Sequence, residues 1–286
     1  MKKLIALILT LVLALSLVAC SSSSSDSSST DSDSSDSTAS ETPNVDAIKA
    51  AGKLVVGTSA DFAPYEFHIL DENGEDTIVG FDMSLAQAIA DELGVELEIV
   101  DQSFDSILLD LQQGTIDLGI AGFSPDPERK EVADFSDYYY LGGQAFAINK
   151  ANADKYTSFE DFAGLQVGAQ TGSIQADLLA ENCPDAQAVL LSKVPDIILE
   201  LVNGKIEGAF IETAVLENYI KNYPDVMMMC EVPYDSEGSA VAIKKGNDDL
   251  TAVVNDVIAK VTADGSMDQW VAEANELSDQ EITTEE

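Results

Sequence analysis

The chain has 286 residues, 45% of them hydrophobic, and a formal charge of −38 from 52 acidic against 14 basic side chains. That length holds one large or two small domains. So strong an acidic excess excludes nucleic acid and an anionic membrane surface as partners of the folded part. It serves solubility, or less directly a cationic ligand.

Residues 1–20 read as an export signal. Lys2 and Lys3 form its basic end, and the apolar run from Leu4 to Val18 is shorter than the roughly twenty residues a spanning helix needs. The run closes on Leu17-Val-Ala-Cys20, which resembles the lipobox of bacterial lipoproteins. That resemblance implies a chain acylated at Cys20 (a palmitate-type anchor) and held on the extracytoplasmic face of the cell membrane. Residues 21–44 are rich in Ser and Asp, with thirteen serines between 21 and 40, and no core can form from them. They read as a disordered tether.

Lys53 to Thr58 reads as a strand, followed by the loop 59–66 and a hairpin-type turn at Asp71-Glu-Asn-Gly74. A helix opens at Gly80-Phe-Asp-Met, capped by Asp82, with Leu85, Ala86, Ile89, Ala90 and Leu93 on one face and Gly94 as its stop. Val95, Leu97 and Ile99 alternate as a strand. Ser103 caps a helix with Ile107, Leu108 and Leu111 inward, Gly114 ends it, and 116–120 is the next strand. Then comes the stretch 119–130. Asp126 reads as an N-cap and Pro127 as the first helical residue, so Arg129 falls in the first turn, where a cation opposes the helix dipole. Either Arg129 is a surface residue, or it joins Ser124 and free backbone N–H groups to hold an anion such as a carboxylate.

Past Gly142 and Gly143 the pattern restarts. Leu165 to Ala169 is a strand, Ser173 caps a helix, 189–191 is a strand, Ser192 caps a helix stopped by Gly204, and 206–211 is a strand. A strand at 241–243 and helices near 247–263 and 266–276 close the chain. Alternating strands and amphipathic helices indicate βαβ units in mainly parallel sheets. The segment 107–117 also echoes 197–207 at an offset of 90 residues, with Ile107/Ile197, Leu109/Leu199, Leu111/Leu201, Gly114/Gly204 and Ile116/Ile206 identical. Two lobes carrying one unit each are expected. The offset pairs Gly122 with Glu212, both past the carboxyl end of a strand, the edge where open α/β sheets take ligands. A cleft between such edges has a cationic wall at Arg129 and an anionic wall at Glu212, which suits a zwitterion. Of the three cysteines, Cys183 and Cys230 either bridge in an oxidising compartment or stay thiols. With His68 the one histidine, and no cofactor loop, neither metal nor cofactor is expected.

Four motifs in order, Gly57-Thr-Ser-Ala-Asp-Phe-Ala-Pro-Tyr-Glu66, Gly80-Phe-Asp-Met-Ser-Leu-Ala-Gln-Ala-Ile89, the stretch 119–130 with Asp134-Phe-Ser-Asp137, and Gly204-Lys-Ile-Glu-Gly-Ala-Phe210, resemble the solute-binding proteins of polar amino-acid ABC importers (family 3). The likeness spans about 53–277 and implies a two-lobed α/β periplasmic-binding-protein-like fold with two hinge strands. Lobe one would be 53–142 plus 239–277, lobe two 143–238, and the hinges 141–144 and 235–239. By the same resemblance Arg129 forks onto the ligand carboxylate, Ser124 donates to it, and Gly122 offers a backbone contact. Phe62 and Phe104 wall the side chain, Gln170 and Ser173 lie on the second lobe's ligand loop, and Glu212 stands where the family has an aspartate for the ligand ammonium. Ser59 replaces an aspartate of basic-amino-acid binders, which weakens without excluding a lysine or arginine ligand, while Asp61 and Glu66 either restore a negative end to the pocket or are exposed-loop charge.

The implied protein is a monomer without catalysis that captures a free polar amino acid and passes it to the permease subunits of an importer. Two other functions fit the fold: a dehydratase of prephenate or arogenate, with Glu212 as its general acid, and a sensory or adhesive surface lipoprotein.

Overall fold

The computed structural model describes residues 43–235 and 238–280. The expected signal, Cys20 and most of the expected tether lie outside the described residues. Pro43 and Asn44 do not belong to a tether: they begin α1 (Pro43–Ala51). Sequence reading passes over this helix because its hold on the fold is distant. The Asn44 and Val45 amides and the Asn44 side chain donate to Asp249 at 2.6–3.0 Å, while Val45 and Ile48 are buried.

The chain then runs β1 (Lys53–Thr58), β2 (Asp61–Phe62), β3 (Glu66–Leu70), β4 (Asp76–Val79), α2 (Phe81–Leu93), β5 (Glu96–Asp101), α3 (Phe104–Gln113), β6 (Leu118–Gly119), α4 (Pro127–Val132) and β7 (Ala133–Tyr140). It continues through β8 (Gln144–Asn149), β9 (Gln166–Gln170), α5 (Ile174–Asn182), β10 (Gln187–Leu191), α6 (Val194–Val202), β11 (Gly208–Glu212), α7 (Thr213–Asn222) and β12 (Val226–Val232). β13 (Ser239–Lys244), α8 (Asp248–Ala263) and α9 (Ser266–Leu277) complete it.

Two sheets of the same design organise two lobes. The first has the order β5-β1-β6-β13-β7 and the second β10-β9-β11-β8-β12. In each, three parallel strands precede a strand that pairs antiparallel to the third. The chain changes lobe twice, from β7 to β8 and from β12 to β13. Each crossing leaves the fifth strand of one sheet and enters the fourth position of the other. A small antiparallel sheet, β2-β3-β4, sits beside the first lobe's parallel strands.

The 90-residue echo has a direct packing counterpart. A Cβ on Gly57 of β1 would meet Ile116 at 2.5 Å and Ile107 at 3.4 Å; one on Gly168 of β9 would meet Ile206 at 2.6 Å and Ile197 at 3.0 Å. In both lobes the helix and the residue before the next strand press isoleucines onto a bare strand backbone. All four isoleucines are buried, each worth about 2 kcal/mol, whereas Leu109 and Leu199, identical too, are exposed.

Several local expectations change. The strand expected over 116–120 is only Leu118–Gly119, because Asp117 is drawn to β1: its amide donates to the Val55 carbonyl and its carboxylate accepts from the Val55 amide, at 2.8 and 2.9 Å. Asp82 is not the cap of α2; Gly80 is, and Asp82 is turned inward to other donors. The hydroxyl of Ser103 makes no cap bond and instead meets Ser106. Lys193, not Ser192, precedes α6, where Pro195 needs no amide partner in the first turn. Asp126 and Ser173 cap α4 and α5 as expected.

Candidate functional site

The carboxyl ends of the parallel strands in both lobes open onto one shared cavity. Ser59, Phe62, Phe104, Gly122, Ser124 and Arg129 line it from the first lobe, and Gln170 and Glu212 from the second. Ser173 is not among the lining residues. Its hydroxyl donates to the Gln170 carbonyl and accepts from the Ala176 amide, so it serves the loop and the helix start.

Arg129 is positioned by α4 itself. The Asp126 carboxylate accepts from the Arg129 amide at 2.8 Å and lies 3.2 Å from Nε. A capping carboxylate beside the cation offsets the dipole penalty that position carries. Nη1 donates to the Ser124 carbonyl at 2.9 Å, and Nη2 reaches across the cleft to the Gly172 carbonyl of the second lobe at 3.0 Å. The guanidinium carbon sits 5.4 Å from the ring centroids of both Phe104 and Phe123, which stack on each other. Burial lowers its pKa, Asp126 and Asp177 oppose that, and an arginine remains charged. It is therefore a buried, planar, preorganised cation at the cavity wall.

Glu212 ends β11 and caps α7. Its carboxylate accepts from the amides of Val215 at 2.9 Å and Gly143 at 3.3 Å. Burial raises its pKa to about 7 against those amides and the Tyr65 hydroxyl beside it. Because the folded chain holds this proton more tightly than the unfolded chain, the folded state binds more protons between the ordinary carboxyl value and about 7. Stability of the unliganded protein is thus expected to fall as pH rises through that window, by up to about 3 kcal/mol from this group. Glu212→Gln should flatten the fall, read from urea midpoints at a series of pH values; an unaltered pH profile would contradict the burial argument.

Gly122 is placed at the cavity, but its amide donates to Asp82 at 3.0 Å, which leaves its carbonyl for a ligand. Gln170 donates to the Ser192 carbonyl at 3.1 Å, and Ser59 leans on Asp61 at 3.4 Å. Sequence reasoning missed Gly142, Gln144, Tyr234 and Ser239, which line the cavity where the chain changes lobe. Two glycines flanked by strands marked that crossing but not its contribution to the site. Tyr65 and Gln175 were missed as well; nothing in their local pattern separates a cavity wall from ordinary core. Cys183 and Cys230 are both free thiols, and burial pushes Cys183 up to about 11.

The model for bacterial extracellular solute-binding proteins, family 3, matches residues 54–273. The arginine-binding extracellular protein ArtP of Bacillus subtilis (strain 168) is 32% identical over 236 residues, covering 81% of this chain and 89% of that protein. A crystal structure of an amino acid ABC transporter substrate-binding protein from Streptococcus pneumoniae Canada MDR_19A, bound to L-arginine, is 39% identical with a TM-score of 0.78, over 82% of this chain and 98% of its own. The ancestral amino acid-binding protein AncCDT-1, a precursor of cyclohexadienyl dehydratase, is 34% identical with a TM-score of 0.72, over 80% of this chain and 98% of its own.

Proposed function

Since the chain belongs to family 3 of the bacterial extracellular solute-binding proteins, we propose that it captures an amino acid with a cationic side chain, arginine foremost, for an ABC importer. The observation that carries this is the charge inventory of the cavity. Its lining holds one guanidinium, Arg129, and three carboxyls, Asp61, Glu66 and Glu212. A zwitterion takes one of each sign: its carboxylate on Arg129 with Ser124, its ammonium on Glu212. Asp61 and Glu66 add negative charge to the wall beyond that pair, which suits a second cation, and Phe62 and Phe104 give the aliphatic stem apolar walls. Ser59, in the place of a family aspartate, orients Asp61 rather than binding the cation itself. Arginine-bound relatives agree with this assignment.

In a thermal-shift series of arginine, lysine, ornithine, histidine, glutamine, citrulline and cystine, arginine is expected to raise the melting temperature most. At a thousand times Kd the gain is about 4 kcal/mol, on the order of 10 °C for a chain of this size. A larger shift with glutamine or cystine would refute the cationic reading.

The same reading hangs the protein from the membrane by a lipid on Cys20, with the Ser/Asp segment as its leash, facing the permease. Cys20→Ala is then expected to release the protein from the membrane fraction; unchanged retention would remove the anchor. One observation favours a dehydratase instead: the buried Glu212 carboxyl lies at about 7, where it can hold a transferable proton. That reading requires turnover of prephenate lost in Glu212→Gln, and none is expected, since two acids beyond Glu212 face the place of an uncharged ring.

A further inference from the structure

Glu66, the first residue of β3, lines the cavity, and Asp82, in the first turn of α2, sets a second carboxyl against it. Both are closed off from water, at 1% and 0% exposure. Asp82 Oδ2 accepts from the Tyr139 hydroxyl at 2.9 Å and from the Gly122 amide at 3.0 Å. Among the described residues, no N–H or hydroxyl reaches Asp82 Oδ1 or either oxygen of Glu66. The groups facing Glu66 are themselves acidic or neutral: Asp82 from α2, Asp61 from β2, and Asp101 from the end of β5, which is held to His68 of β3. Tyr139 of β7, a neutral phenol, also faces the pair. The guanidinium of Arg129 is engaged with Asp126 and with the Ser124 and Gly172 carbonyls. Two adjacent buried carboxylates without a cation are too costly to persist, and such a pair resolves the conflict by keeping a proton. Burial and Asp82 raise Glu66 well above the usual range, and burial raises Asp82 to about 6.

We propose that Glu66 and Asp82 share one proton in the unliganded protein, and that the cationic side chain of the ligand expels it to solvent and takes its place. The inference rests on the cationic-ligand reading above and deepens it. One O–H bond is lost, its proton goes to water, and the ligand's N–H groups then donate to the carboxylate of Glu66. Asp82 acts as a positioning residue that keeps Glu66 protonated until the ligand arrives. An uncharged side chain finds a neutral carboxyl pair, while a cation converts it to an ion pair. Affinity for arginine then rises with pH by up to tenfold per unit while the empty pair is protonated. Citrulline, the neutral isostere, lacks the pair's share of that dependence. Glu212 also loses a proton when any ligand ammonium binds, so the difference between the two ligands isolates the pair.

Titration calorimetry of the purified protein with arginine and with citrulline, in phosphate and in Tris at pH 7, reads protons released from the buffer dependence of the heat. Arginine is expected to release about one proton more than citrulline, and Glu66→Gln to cancel that excess while weakening arginine. Asp82→Asn should shrink the excess with arginine still bound. Infrared difference spectra, citrulline-bound minus arginine-bound, should show a protonated-carboxyl band present only with citrulline, since Glu212 has given up its proton in both complexes, and this readout needs no variant. Arginine bound with equal proton release to citrulline and no carboxyl band differing between the two complexes would overturn the shared proton alone. No arginine heat in either buffer would overturn the cationic-ligand reading itself.

Discussion

Arg129→Ala is expected to abolish the thermal shift given by the ligand while leaving the fold intact. The side chain is a buried fork whose removal leaves a carboxylate facing Phe104 and Phe123 with no counter-charge. Losing one partner of such a desolvated pair costs about 3–5 kcal/mol, a loss in affinity of roughly a hundredfold to several thousandfold. The unliganded fold loses less. It gives up the bonds to the Ser124 and Gly172 carbonyls, but it is also relieved of burying a cation. Arg129→Lys keeps the charge without the planar fork and should fall between the two. Calorimetry for affinity and a melting curve for stability separate the effects, and wild-type affinity in the alanine variant would refute the clamp.

Gly80→Ala is expected to be the most damaging single methyl in the first lobe. Gly80 has φ +126°, a region closed to side chains, and a Cβ there would collide with the carbonyl of Tyr65 and come within 3.0 Å of the Glu66 Cα. Those neighbours are backbone and have no rotamer to escape into. The contact also belongs to a joint between loop and helix, since the Phe81 amide donates to Pro64 and the Asp82 amide to Tyr65. A cost of about 3 kcal/mol or more is expected, along with weaker ligand binding, because Tyr65 and Glu66 move with it. Gly74→Ala is the control: φ is +79° with nothing within 4 Å, so about 1 kcal/mol is expected. Urea unfolding of the two variants distinguishes steric from purely conformational cost, and equal losses would refute the close approach at Gly80.

Much of the site was legible because its signals are local. Asp126, Pro127 and Arg129 lie within one turn, and the cap geometry read from that spacing is the one found. The helix–Gly–strand units at 107–117 and 197–207 gave Arg129 a counterpart in Glu212 through a fixed offset, and both line the cavity. Ser173 shows the limit of the same reasoning. Its capping role was legible and is met, but a helix start does not tell which way the loop before it faces, and the residue does not line the cavity.

The amino-acid sequence by itself determined the alternation of strands and helices, the two repeated units, the caps and the family pattern. Each of these depends on residues within a turn or a short fixed spacing, so the chain carries them without knowing its partners. Only the tertiary structure decided that Asn44 and Val45 bind Asp249 across the chain, that the Gly122 amide goes to Asp82, and that the Arg129 fork spans the cleft to Gly172. It alone also decided which of 52 acidic residues lose their water. Glu66 and Asp82 carry no local mark that separates them from the solvated majority. Their chemistry comes from burial and from one another, and burial is a property of packing between distant segments.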